Sequence, residues 1–478
     1  MTGRQRMLAL YVLCSGMLMI VLDVSIVNVA LPSIQDELGF SSAGLAWVVN
    51  AYLIAFGGLL LLAGRIGDLF GRRRVFLIGL AVFTAASAVC GVAQSPGLLV
   101  VARFVQGAGG ALTSAVILGM IVTMFPEPRE QAQAIGVYAF VASAGGAVGA
   151  LAGGTITQWV SWHWIFFVNV PIGIAGAVLA ARTLPVDGEA PATRPATDVI
   201  GALLITAALT LGVYTIVVPA AELGWGAGNT LACVAIAIAM LVAFLVREAT
   251  TPLPLIPMRI LRSRTVAGSN LMQVFGAGGM FGAFFLGALY LQHVLRYDPL
   301  EIGLAFLPVS VLMGGLSIRY SERLVTRYGV LRVMVPGMVS LGAGLALFAV
   351  APADGSYVRS VLPVMVLLGI GAGLAFPPLM SLAMSGVDPA DAGLASGLIN
   401  TTGQVGGAIG LAVLATASAG RTADLHSGGA STAAALTGGY HLAFWIAAAM
   451  IGAAVVVALT VVRPARQAQP ADVELAAA

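Results

Sequence analysis

Long apolar runs alternate with short polar breaks along the whole chain, and the breaks carry nearly all of the charge. A helix needs about 20 apolar residues to cross roughly 30 Å of hydrocarbon. Runs of that length predict spans near 7–31, 42–64, 75–94, 97–122, 131–157, 162–182, 198–219, 228–247, 265–294, 299–319, 332–351, 358–381, 392–419 and 438–462. An even count puts both termini on one side. Nineteen of the 23 basic residues fall on that side, only Arg296, Arg359 and Arg421 on the other, and Arg103 lies within a span. Arginine marks the cytoplasmic face, so both termini are expected in the cytoplasm and the chain in the inner (plasma) membrane. Arg4 and Arg6 ahead of an apolar run have the outline of a signal peptide. That run is too long, holds Asp23 and lacks a small-x-small cleavage site, so it reads as the first span.

Composition sharpens this into an all-α membrane protein. Hydrophobic residues make up 59% of the 478 and charged ones 9%, too few charges to cover a water-facing surface of this size. The 60 glycines suit helices packed closely in lipid. A net charge of +3 with no basic tract argues against nucleic acid. Cys14, Cys90 and Cys233 lie inside apolar runs with neither disulfide nor metal spacing. His163, His293, His426 and His441 are scattered, so neither a metal site nor an enzyme's cluster at one membrane face is expected. Gly369-x-Gly371-x-Gly373 follows no strand and sits inside a span, and no Walker-type loop exists, which excludes an ATP-driven pump. No cofactor is expected.

The chain repeats itself. Gly107-Ala108-Gly109 matches Gly369-Ile370-Gly371, Gly145–Gly149 matches Gly406–Gly410, and Phe70-Gly71 matches Tyr328-Gly329, in the same order at offsets of 262, 261 and 258. Similar offsets describe two halves of parallel topology. Six spans and their loops fill roughly 180 residues at about 20 per span, so the spans near 198–219 and 228–247 are an insertion. The expected organisation is a six-helix bundle over 1–182, a linker with two inserted helices over 183–264, a second bundle over 265–462 and a cytoplasmic tail at 463–478. Linker-like, proline-rich stretches lie at 183–197 and 249–258.

Asp23 is the one acid deep inside a predicted span. A carboxylate there costs several kcal/mol unless it is paired, protonated or facing water, and a group able to exist in both protonation states is what a proton-coupled carrier needs. Arg103 is the one arginine inside a span. Asp23 lies about 12 Å below Leu31 and Arg103 about 9 Å below Gly97, similar depths at 1.5 Å per residue. A shift of 262 carries Asp23 to Phe285 and Arg103 to Met365, so the second half does without either charge. The alternative to proton coupling is a static ion pair. Gly145, Gly149 and Gly153 form a small-x-x-x-small ridge, with Gly154 beside it, suited to a sliding interface or to static packing.

Four stretches carry a family resemblance: Leu22–Pro32, Gly64–Arg74, Arg103–Ala111 and Trp162–Gly173. With the span count, they make the chain resemble the fourteen-span drug:proton antiporters of the major facilitator superfamily, the EmrB/QacA type. The resemblance implies the major facilitator fold, two six-helix bundles plus two inserted helices. It implies that the first and fourth helices line a central cavity, where Asp23 and Arg103 would meet. It also implies a cytoplasmic latch between the halves at Asp68, Gly71, Arg72 and Arg73. One departure stands out: where the antiporter motif has proline in its fifth span, this chain has Ala150.

Candidate cavity residues are Asn28, Trp47, Asn50, Tyr52, Gln106, Tyr138, Asn270, Gln273, Asn400 and Gln404. Such a wall suits amphiphilic compounds, cationic ones included, with Asp23 as the anionic attraction. The expected function is proton-coupled efflux of small drugs or antibiotics by a monomer in the bilayer. The alternative is a carrier of an endogenous lipid, sugar or metabolite with different coupling.

Overall fold

The computed structural model describes residues 3–41, 43–185, 198–252, 254–255, 258–385 and 392–462. Most of the first linker and the tail at 463–478 lie outside them. Fourteen long helices fill the described residues. They are α1 (Gly3–Leu38), α2 (Ala46–Phe70), α3 (Arg72–Gly91), α4 (Pro96–Met124), α5 (Pro128–Trp159), α6 (Asn169–Thr183, entered through a helical turn at Trp164–Phe167), α7 (Val199–Val217), α8 (Gly228–Thr250), α9 (Arg264–His293), α10 (Pro299–Arg319), α11 (Val330–Phe348), α12 (Leu362–Met384), α13 (Ala392–Ser427) and α14 (Thr432–Thr460). Thirteen are long and apolar enough to cross a membrane. The other, α5, has 32 residues and reaches about 48 Å at 1.5 Å per residue.

Several ends differ from the hydropathy reading. α1 continues seven residues beyond Leu31, through Pro32. Proline removes one backbone bond there, and the fully buried Ile34 beyond it keeps the helix packed. Gly64–Arg74 is not a loop. α2 stays helical to Phe70, and the only break before α3 is Gly71 at φ 98°, a conformation that favours glycine. α13 likewise runs past residue 419 to Ser427, carrying Arg421 and Asp424 outward on helix that is no longer apolar.

The repeat is visible in backbone geometry. Gly329 between Tyr328 and α11 has φ 89°, matching Gly71. A Cβ on Gly109 of α4 would sit 2.5 Å from Phe83 N and 2.9 Å from Gly79 O on α3. Gly371 of α12 meets Leu341 N at 2.6 Å and Gly337 O at 2.8 Å on α11 in the same way. In each half a glycine lets two helices touch backbone to backbone, where a methyl group would push them apart.

The two halves meet along α5–α10, α2–α13 and α1–α9. α7 packs on both α2 and α13, and α8 packs on α7 at the lipid-facing edge. The inserted pair thus lies across the α2–α13 junction. Its contacts include Thr206 over Gly58 of α2 and Thr416 of α13, whose hydroxyl donates to Ile216 O at 3.4 Å.

Candidate functional site

Asp23 and Arg103 meet in the first half. Arg103 Nη1 lies 2.5 Å from Asp23 Oδ2, with side-chain exposures of 1% and 0%. Five helices or helix entries converge on the pair. Gln106 Nε2, one turn along α4, donates to Asp23 Oδ1 at 2.7 Å and to Ser87 Oγ of α3 at 2.7 Å. Asn169 Nδ2, at the start of α6, donates to Asp23 Oδ1 at 3.1 Å. Arg103 Nε donates to Val48 O of α2 at 2.9 Å, and its Nη1 also reaches Gln106 Oε1 at 2.7 Å. The guanidinium stacks 4.5 Å from the Tyr52 ring centroid and 5.8 Å from that of Phe166. Such neighbours fit a delocalised, weakly hydrated cation.

A buried ion pair is tolerable only when its remaining hydrogen-bonding capacity is filled. Here both carboxylate oxygens are occupied: Oδ2 by Arg103, Oδ1 by two amides. A charged group held by so many donors cannot drift. The pair and its hydrogen bonds tie α1, α2, α3, α4 and α6 together at one point.

The second half shows what the position is like without charge. Phe285 and Met365, the counterparts of Asp23 and Arg103, are both fully buried apolar side chains. Ser87 and Asn169 were not singled out from the sequence. Asn169 was visible there as an amide within Trp162–Gly173, but only folding shows that it reaches Asp23.

The other candidates scatter. Gln106, Tyr52 and Asn50 are buried, the first two in the ion-pair cluster. Tyr138 donates to Met17 Sδ at 3.4 Å. Trp47 lines an open groove of about 530 Å³ between α2, α4 and the inserted helices, with Phe104, Leu203, Thr206, Tyr214 and Met240. Asn28 Nδ2 bonds its own helix at Val24 O. Asn270 accepts from Thr402 at 2.8 Å, Asn400 is exposed two turns into α13 with its Nδ2 donating to Ser396 O at 2.9 Å, and Gln273 and Gln404 lie close by on α9 and α13. Asp23 has no face on any opening, so it offers no surface attraction to a cationic compound in this conformation.

At the turn between α2 and α3, Asp68 Oδ1 accepts from Arg72 Nε at 3.1 Å and Nη2 at 2.9 Å, while Arg72 Nη1 reaches Gly119 O of α4 at 2.8 Å. Arg73 Nη2 donates to Ala181 O of α6. All of these partners belong to the first half. The glycine ridge divides its work. Gly145, Gly149 and Gly153 face α1, where a Cβ on Gly149 would meet Leu22 O at 2.9 Å and one on Gly153 would meet Ile26 O at 2.8 Å. Gly154 faces the other half: its Cβ would meet Pro299 O at 2.5 Å. Gly303 of α10 answers it, 2.5 Å from Ala150 O.

Two bundles of like topology, joined by an inserted helix pair and touching along three helix pairs, agree with the comparisons. Residues 13–411 match the Major Facilitator Superfamily. The chain belongs to that superfamily. It is 39% identical to the puromycin resistance protein of Streptomyces alboniger, over 91% of this chain and 87% of that one. It is 42% identical to a cephamycin export protein of Amycolatopsis lactamdurans, over 85% of this chain and 84% of that one. Its fold is similar to the crystal structure of a bacterial homologue of the human lysosomal transporter Spinster in an inward-facing, unoccupied conformation. The TM-score is 0.69 at 14% identity, over 96% of this chain and 97% of that one. As a major facilitator, the chain is a multi-pass membrane transporter of small molecules and not an enzyme.

Proposed function

We propose that this major facilitator exports small amphiphilic drugs or antibiotics from the cytoplasm in exchange for protons, by alternating access. Both termini lie in the cytoplasm, the membrane is the plasma membrane, and a monomer driven by the proton gradient does the work without a cofactor. The relatives whose names record puromycin resistance and cephamycin export support efflux.

One observation carries the proton coupling: the fully buried Asp23–Arg103 pair sits where five helices converge. With Asp23 ionised, the cluster is neutral overall and α1, α2, α3, α4 and α6 are tied. A proton on Asp23 leaves Arg103 without its counter-charge in a dry site, which costs several kcal/mol. That energy favours a conformation in which Arg103 finds water or another acceptor. Protonation and helix rearrangement are then one event, and the gradient drives the cycle.

The test is purified protein in liposomes loaded with a pH-sensitive dye. Adding puromycin to one side should draw protons from the other side towards it in wild type. Puromycin transport without proton movement would overturn antiport while leaving efflux intact.

A further inference from the structure

A short helix, Ser321–Tyr328, joins α10 to α11 through Gly329 and packs against α10, α11 and α12. It lies between two apolar spans, one ending at Ser317 and the next beginning at Val330, and so sits at the membrane surface. On one side Ser321 is buried and Leu324 and Val325 are half-buried; on the other Arg323, Thr326 and Arg327 are exposed. Arg319 closes α10 and Arg332 stands in the first turn of α11, both exposed. Between positions 319 and 332 four arginines thus stand against a single acid, Glu322. Tyr320 and Tyr328, each 48% exposed, flank the helix, and such rings mark the headgroup level of a bilayer.

The matching turn of the first half shows what these charges lack. Gly71 and Gly329 have nearly the same backbone, φ 98° and 89°, and by helix count both turns lie at the same end of the bundle. In the first half Asp68 neutralises Arg72, which also reaches Gly119 O, and Arg73 donates to Ala181 O. The shift of 258 that pairs the two glycines carries Asp68 to Thr326, whose hydroxyl donates to Arg323 O of its own helix at 3.0 Å. Among the described residues, Arg319, Arg323 and Arg332 have no carboxylate, carbonyl or ring partner, and Arg327 stacks on Tyr328, 5.3 Å from the ring centroid. An exposed basic row at the bilayer surface, with no acid folded onto it, is complementary in charge to lipid phosphate. Guanidinium forks fit phosphate oxygens two at a time, and the tyrosines, Leu324 and Val325 suit the region just below the headgroups.

We infer that the turn from Arg319 to Arg332 is a docking surface for the headgroup of an anionic phospholipid, with Arg323 and Arg327 as its central contacts. The first half turns its arginines onto its own carboxylate and carbonyls; the second half turns them onto lipid phosphate. Such a contact is independent of what the carrier exports.

Tyr328→Trp places an indole beside the row and keeps an aromatic ring next to Arg327. The full-length protein is reconstituted in vesicles of phosphatidylcholine and phosphatidylglycerol, in which one lipid or the other carries a dibrominated acyl chain that quenches tryptophan. Quenching beyond that of the six native tryptophans reads the lipid preference at this position. Phosphatidylglycerol should be preferred, and Arg323→Gln and Arg327→Gln should each lower the preference about fivefold, the worth of one arginine at a charged surface. Arg323→Lys with Arg327→Lys keeps the charge and should retain most of the preference. Equal quenching by the two lipids, an unchanged preference in the double glutamine variant, or a preference that the lysine pair fails to keep would overturn the inference. So would loss of the preference in millimolar inorganic phosphate but not in chloride of equal ionic strength, because the row would then hold the free anion.

Discussion

Arg103 of α4 and Asp23 of α1 are 80 positions apart in sequence and 2.5 Å apart in space, and neither shows more than 1% of its side chain to the surroundings. Their contact ties the first helix of the bundle to the fourth inside two apolar spans, where an unpaired charge is costly. The pair is therefore a structural bond, and it is where the proposed proton coupling is to be tested.

Asp23→Asn keeps the shape and the hydrogen bonds to amides but removes the charge and the ability to bind a proton. The variant leaves Arg103 buried without its counter-charge, so its abundance in the membrane should fall, and the protein that is recovered should show no substrate-driven proton movement in liposomes. Retained proton coupling in this variant would remove Asp23 from the mechanism.

Arg103→Ala leaves a buried carboxylate unpaired, a loss of about 3–5 kcal/mol. Protein abundance in the membrane should fall steeply. Adding Asp23→Asn to it should restore much of that abundance, because the orphaned charge is then gone. Abundance and unfolding midpoint of the two single variants and the double variant, compared as a cycle, give the coupling energy directly.

Gly154 and Gly303 sit on opposite halves with only backbone between them: a Cβ on Gly154 would be 2.5 Å from Pro299 O and one on Gly303 2.5 Å from Ala150 O. Gly154→Val should keep α5 and α10 from closing, without touching the α1 packing that Gly149 and Gly153 serve. With Cys14, Cys90 and Cys233 replaced, a cysteine at Leu300 should react faster with an external, impermeant maleimide in the Gly154→Val background. Equal labelling rates would mean that this seam does not move.

Gly71 and Gly329 adopt nearly the same backbone, φ 98° and 89°, at matching turns of the two halves. A β-branched residue at either is strained by about 1–2 kcal/mol. Gly71→Val and Gly329→Val should lower the unfolding midpoint by similar amounts. A large loss at Gly71 alone would show that Asp68 and Arg72, bonded beside it, depend on that turn for more than stability.

Much of this was legible in one dimension. The apolar runs fix fourteen helices because lipid leaves the backbone no partner but itself. Three spaced glycine motifs give the repeat, which the matching turns at Gly71 and Gly329 carry into the backbone; arginine placement adds an expected direction of insertion. Asp23 and Arg103 stood out because charge inside an apolar run is rare for an energetic reason. Helix ends were less legible: hydropathy marks where hydrocarbon ends, whereas the hydrogen-bonded helices α1 and α13 run on into polar surroundings.

What a string of residues leaves open is which faces meet. Asn169 and Ser87 joining Asp23's cluster, Trp47 turning to the inserted helices, Gln106 and Tyr52 closing in around Arg103, and Gly154 parting from its ridge to meet α10 are all rotations of a helix about its own axis. In a soluble helix the polar stripe announces such a rotation. Here lipid and protein interior are both apolar, so the stripe is faint, and close packing at glycine, with the few hydrogen bonds available, sets each helix in place.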